Sequence, residues 1–280
     1  MWYHGRSISN DSSNLAPLST GQIGYATSRN GLHWEKCSTI PDDEKLCLGM
    51  NDEDWWTFDT AHVGLGQVLQ PTASSQAMQT DTGVYMMYYM GGNKEEVPIS
   101  NYISNSNLSD QKIMGMNMCI GIAISQDGIH WGRIEGDYPN GSVLEPDEKE
   151  LYVAWPDVIK LENMYVMHYS TLTTQSKEKC IHYATSEDGF KWEKRGTCIT
   201  PDKEYDDMGV ARSHVMYDDD KKLFVMFYDG VSGKDNKHRI CAAVSEDGIG
   251  NWRKVGIVLD LPEDNEEWDG HGLSNPHAIE

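Results

Sequence analysis

Positive charge, closely spaced cysteine pairs and long apolar runs are all scarce in this chain of 280 residues. Lys plus Arg number 23 against 44 Asp plus Glu, a formal net charge of −21. That balance argues against a nucleic-acid partner or an anionic membrane, each of which needs a basic surface. The six cysteines (Cys37, Cys47, Cys119, Cys180, Cys198 and Cys241) include no C-x-x-C pair, so a zinc site is not expected. Cys119 and Cys180 each stand six residues before a serine of a repeated motif, and they read as buried reduced thiols. No segment has the length needed to span a bilayer, and the first residues lack the charged-then-apolar order of a signal sequence. The chain reads as soluble, with its compartment open. Helical periodicity is not sustained anywhere.

What the sequence does have is a repeat. GQIGYATSRNGLHWEK ends at Lys36, CIGIAISQDGIHWGR at Arg133, CIHYATSEDGFKWEK at Lys194 and ICAAVSEDGIGNWRK at Lys254. The shared core is Ser-x-(Asp/Asn)-Gly-x-x-Trp, with one extra residue before Trp252. Asp-Gly and Asn-Gly between β-prone runs are hairpin signals, because the turn needs positive backbone dihedrals. Ser and Asp side chains can bind the turn's own amides, and the tryptophan can cover it. Asp127, Asp188 and Asp247 are therefore expected to form turns, not to catalyse.

Upstream of each hairpin lies an aromatic strand: MWYHGR, YMMYYMGG, YVMHYS and LFVMFYDG. Further upstream come inner-strand candidates beginning at Asp59, Val153, Asp206 and Trp268. Four antiparallel strands per repeated unit is the grammar of a β-propeller blade. The expectation is one all-β domain over 1–280, with units near 1–36 plus 268–280, 55–134, 150–195 and 205–254. The motif serines Ser28, Ser125, Ser186 and Ser245 are separated by 97, 61 and 59 residues. Two polar insertions, around Cys37 to Asp54 and Asn93 to Asn117, fill the long first step and read as loops. Four units are visible; a four-bladed ring, a degenerate fifth blade and a fragment of a longer protein all remain open.

The I-G-Y-A-T-S-x-(D/N)-G-x-x-W hairpins together with Y-x-M-x-Y-x-G strands resemble the arabinanase/levansucrase/invertase superfamily. That resemblance implies a five-bladed-type propeller like those of glycoside hydrolase families 43, 32 and 68 and the family 130 mannoside phosphorylases. It also implies a carbohydrate partner met at an axial pocket lined by the first strands. Fold alone does not give activity.

Overlaying the inner strands aligns Asp59, Asp206 and Asp269. Leu65, Trp155, Arg212 and Asn275 then share one place, and Gln67, Asp157, His214 and His277 share another. Superfamily hydrolases carry acids just before the Pro-like position of these strands. Here Leu65, Trp155, Arg212 and Asn275 stand there, and none can be a general acid or base. Asp157 is the first acid/base candidate, with Asp59, Asp206 or Asp269 as partner, since glycoside hydrolysis requires two carboxyl groups roughly 5–9.5 Å apart. Trp155, Arg212, His214, His277, Asn275, His62 and His271 are the expected substrate-binding residues. Arg beside His also suits an inorganic phosphate, so phosphorolysis is an alternative, and a non-catalytic glycan- or protein-binding propeller is another. No metal ligand set is expected from spacing, although several histidines near an axis leave room for a divalent cation.

Overall fold

The computed structural model describes residues 1–6, 21–37, 46–71, 83–102, 111–262 and 267–278. The architecture is all-β, with antiparallel sheets that are the blades of a β-propeller. Strand follows strand in sequence order within each blade, as the repeat grammar demands.

The chain divides into two compact units. In the first, β1 (Trp2–Arg6), β2 (Gly21–Ser28) and β3 (Trp34–Lys36) form one sheet. A second sheet is built from β4 (His62–Leu69), β5 (Tyr85–Gly92), β8 (Met118–Ser125) and β9 (Gly132–Ile134). Between β5 and β8, where the sequence reads as loop, β6 (Val97–Pro98) and β7 (Lys112–Ile113) pair as a small sheet of their own. Polar composition hid this pair, because two-residue strands carry no periodicity. The core of this unit gathers Ile23, Leu48, Phe58, Val63, Met87 and Tyr89.

In the second unit, which takes in all of this blade except Leu151–Ala154, β10 (Glu150–Lys160), β11 (Tyr165–Thr173), β12 (Lys179–Ser186) and β13 (Glu193–Ile199) form one sheet. The other consists of β14 (Gly209–Asp218), β15 (Leu223–Val231), β16 (His238–Ser245) and β17 (Arg253–Leu259). The strand β11 is buried on both faces along most of its length, which is why its sequence, YVMHYSTLT, does not alternate. Ile159, Val166, Ile181, Val210, Met226 and Tyr228 fill the core between the two blades of this unit. Each such side chain contributes roughly 1.5–3 kcal/mol by leaving water. The segment Trp268–Ala278 forms no strand; Leu273 donates its N–H to the His238 carbonyl at 3.0 Å.

All four Ser-x-(Asp/Asn)-Gly motifs are turns. The serine hydroxyls accept the glycine N–H at 2.9 Å (Ser28), 2.8 Å (Ser125), 2.8 Å (Ser186) and 3.1 Å (Ser245). The Asp or Asn Oδ1 then accepts the amide two residues on, as from Phe190 to Asp188 at 2.7 Å. Gly31, Gly128, Gly189 and Gly248 have φ of 73°, 74°, 79° and 67°, the left-handed conformation that the Asn-Gly and Asp-Gly pairs announce. Trp34, Trp131 and Trp192 close the turn by donating Nε1–H to the glycine carbonyl; Trp252, displaced by its extra residue, donates to Ile249. No disulfide joins the six cysteines, and Cys47, Cys119, Cys180 and Cys241 are buried.

Close backbone approach fixes one glycine. A Cβ on Gly91 of β5 would lie 2.5 Å from the Cβ of Asp59 and 2.9 Å from its Cα. Gly91→Ala is expected to destabilise the fold by about 1–3 kcal/mol in urea denaturation. Gly132→Ala, with nothing within 4 Å, should leave the midpoint unchanged.

Candidate functional site

Three buried carboxylates share one arrangement. Asp59 Oδ2 accepts the Tyr89 hydroxyl at 3.0 Å and Arg133 Nε at 2.8 Å. Glu150 accepts Tyr169 at 3.0 Å and His182 at 2.8 Å and pairs with Lys194. Asp206 Oδ2 accepts Tyr228 at 3.2 Å and Lys254 at 2.6 Å. Each is therefore a clamp: an acid ahead of or opening the first strand, a tyrosine from the second, and a cation just after the motif tryptophan. Burial, then the neighbouring carboxylate, pushes the Tyr89 and Tyr228 hydroxyls far above the usual phenol range, so both remain proton donors. Burial opposes ionisation of Glu150, but its bonds to His182 and Lys194 prevail and hold the carboxyl below its ordinary value.

Asp59 and Asp206, expected as acid/base partners, thus have their carboxylates bound into the scaffold, 1% and 0% exposed. The blade counterpart of Asp59 and Asp206 is Glu150, with Tyr169 and Lys194 as its partners. Asp269 is partly buried, and its Oδ1 has no partner among the described residues. His62 is buried in the first unit, with Nε2 at 2.8 Å from the Gly115 carbonyl. Burial lowers its pKa. His271 is exposed in the second unit.

Asp157, His214 and His277 do come together. Asp157 Oδ2 accepts the Val215 N–H at 2.8 Å, and Oδ1 lies 3.2 Å from His214 Nδ1. His214 Nε2 reaches the Ala278 carbonyl at 2.9 Å, and the His277 ring lies 4.2 Å from that of His214. Both nitrogens of His214 face acceptors, which suits the imidazolium. Burial opposes that charge, yet the Asp157 bond and charge and the Ala278 carbonyl outweigh it, and the pKa is raised. His277 moves the other way, lowered by burial and then by the charge on His214. Asp157, with both oxygens occupied and 3% exposure, anchors the segment that carries Asn275 and His277.

A raised folded pKa means that the His214 contribution is complete below the unfolded value of about 6.5 and is lost as pH rises through the folded value. The stability difference between the parent and His214→Gln should therefore be largest near pH 5–6 and shrink towards pH 8–9 in pH-dependent urea melts. His62 and His168, whose pKa values burial lowers, destabilise the fold as pH falls below about 6.5, and they cancel in that difference.

The second cluster is centred on Arg212. Trp155, Arg212 and Asn275, aligned in sequence, have φ of 50°, 54° and 57°, a left-handed conformation that costs each of them energy. The β14–β15 register breaks between Ala211 and His214, so a bulge re-aims Arg212. Its guanidinium carbon lies 4.6 Å from the Trp155 ring centroid. One of its terminal nitrogens donates to Asp229 at 2.8 Å and to Ser274 at 2.9 Å, whereas Nε is buried without a partner among the described residues. Fully buried Asp229 also accepts Ser274 Oγ at 2.5 Å and the Asn275 N–H at 3.0 Å, with His238 Nδ1 at 3.3 Å. Lys179 completes the neighbourhood: burial, then the charge of Arg212, lowers its pKa. The sequence reading missed His238, Ser274 and Lys179 in this cluster and takes Asp229 as a second-strand residue packed behind the site. Asp229 and His238 lie on the second and third strands, where an inner-strand alignment does not look.

Among the described residues, no group of three or more His, Cys, Asp or Glu is placed to hold a metal ion, and no helix is long and apolar enough to cross a membrane. The arrangement can present an aromatic face, a fixed guanidinium and amide and hydroxyl groups to a sugar or an anion.

Residues 156–268 match the glycosyl hydrolases family 32 N-terminal domain. An uncharacterised Mycobacterium tuberculosis protein is 28% identical over 163 residues, 56% of this chain and 51% of that one. A Psychromonas ingrahamii protein named "Probable sucrose-6-phosphate hydrolase" is 27% identical over 128 residues, 44% of this chain and 21% of that one. The chain thus spans about half or less of the length of the curated relatives it matches. In structure, a "putative glycoside hydrolase" from Parabacteroides distasonis superposes with a TM-score of 0.61 at 17% identity, covering 98% of this chain and 80% of that one. At that identity the likeness concerns the fold. With the repeated hairpins, the blades and the family 32 match over 156–268 all in agreement, the chain is a glycoside hydrolase-like β-propeller.

Proposed function

We propose that this chain binds a carbohydrate at Trp155, Arg212 and Asn275 and acts on a glycosidic bond held beside them, with Asp229 the carboxylate of the cluster. The observation that carries the reading is the shared left-handed backbone of these three aligned residues, with Arg212 stacked on Trp155 and braced by Asp229. Strain of this kind, held here on β10, on β14 and in the strandless segment 268–278, clusters at functional sites. Trp155 packs against the sugar ring, while Arg212, Asn275 and Ser274 bond its hydroxyls. Asp157 acts through His214, as a positioning residue that holds the 274–278 segment in place. The family 32 match over 156–268 covers Asp157, Arg212 and Asp229 and supports assigning the chemistry to this unit.

A second reading rests on the cations. Arg212, with its unpartnered Nε, stands with Lys179 near one carboxylate, Asp229. That surplus of positive charge suits a phosphate as the attacking group, and phosphorolysis needs only one proton donor from the protein. Product analysis on a panel of aryl-glycosides and oligosaccharides, with and without inorganic phosphate, separates the two. Free sugar formed without phosphate supports hydrolysis, and sugar phosphate formed only with phosphate supports phosphorolysis. No product under either condition overturns the proposal.

A further inference from the structure

Two exposed tryptophans stand side by side in the first unit. Trp55 is 88% exposed and its neighbour Trp56 40% exposed, although large aromatic side chains are ordinarily well covered. Both line a cavity of about 490 Å³ together with Asp52, Thr60, Lys94 and Glu95. The stretch that presents them is built, not loose. Asn51 Oδ1 accepts the amides of Glu53 at 3.2 Å and Asp54 at 3.1 Å, and the Thr57 amide and hydroxyl both donate to the Asp54 carbonyl. Arg133 ties down the two ends, binding the Gly49 carbonyl with one nitrogen and Asp59 with another. On the facing side, the Lys94 N–H donates to Thr60 Oγ1 at 3.2 Å, and Asn117 holds Glu95 at 2.9 Å.

We infer that this cavity binds a neutral glycan chain, one sugar face stacked on Trp55 and the hydroxyls bonded to Asp52, Glu95 and Thr60. Indole presents a flat apolar face with polar groups at its rim, which is what a pyranose ring with axial C–H groups and equatorial hydroxyls requires. Charge selects the class. Asp52 and Glu95 outnumber Lys94, which is itself 3.7 Å from Asp52, and the chain as a whole carries −21, so an acidic polysaccharide would be repelled. The Trp155–Arg212 cluster belongs to the second unit, so this surface is an additional binding function with its own residues.

Affinity electrophoresis of the full chain through gels containing mannan, levan, arabinan or polygalacturonate tests the inference. Wild type should be retarded in at least one neutral gel, and Trp55→Ala should weaken that retardation at least tenfold. Trp268→Ala, equally exposed at 89% but in the second unit, should be retarded like wild type. No retardation in any neutral gel, equal retardation of Trp55→Ala, or retardation by polygalacturonate alone would overturn it. A dimer that Trp55→Ala dissociates, seen by size exclusion, would reassign the face to a second copy of the chain and overturn it as well. Cleavage without retardation would count against this surface only, and retardation without cleavage only against the proposed activity.

Discussion

Lys254→Met is expected to lower the stability of the protein by roughly 3–5 kcal/mol, the cost of leaving a buried carboxylate without its cation. Asp206 is fully buried, and the Lys254 side chain is 9% exposed, so little water reaches the pair. Lys254 also donates to the Thr200 carbonyl at 2.6 Å and to Asp202, which ties the approach to β14 onto β17. Methionine keeps the length of the side chain and removes the charge. The double variant Asp206→Asn with Lys254→Met should recover part of the loss, because the orphaned charge goes with it. Urea denaturation of the parent, the two single variants Lys254→Met and Asp206→Asn, and the double variant measures both effects. A loss below about 1 kcal/mol in the single variant would show that the clamp is a surface ion pair in solution.

Arg212→Lys is expected to reduce turnover at least a hundredfold, about 2.7 kcal/mol of transition-state stabilisation, with little change in the denaturation midpoint. Lysine keeps the positive charge but lacks the planar fork that stacks on Trp155 while binding Asp229 and Ser274. Asp229 would still accept Ser274, the Asn275 amide and His238, so the fold survives the change. Steady-state kinetics on whichever substrate the product analysis identifies, beside urea melts, separates the two effects. Activity within twofold of the parent would remove Arg212 from the site.

The fold was legible in the sequence because its determinants are local. Ser186, Asp188, Gly189 and Trp192 satisfy their own turn, so the motif means the same thing wherever it stands. The inner-strand register was legible in part: of the four residues that share one place, Trp155, Arg212 and Asn275 have positive φ and Leu65 does not. The roles of the acids were not. Asp59 and Asp206 look like channel carboxylates until Tyr89 and Tyr228 on the next strand are seen to bind them. A signal was present, since Arg133, Lys194 and Lys254 each follow the motif tryptophan by two residues. Reading it required knowing that this cation returns to the start of its own blade. Asp229 shows the complementary case: on sequence it is a second-strand residue, and only the folded chain brings Arg212, Ser274, Asn275 and His238 to it.

The most direct test of the proposed site is a crystal structure of the protein soaked with the sugar it cleaves or releases. A sugar ring packed against Trp155, with a hydroxyl or phosphate oxygen within hydrogen-bond distance of Arg212 or Asn275, is the predicted result. Sugar bound elsewhere, with the Trp155–Arg212 cluster empty, would contradict it.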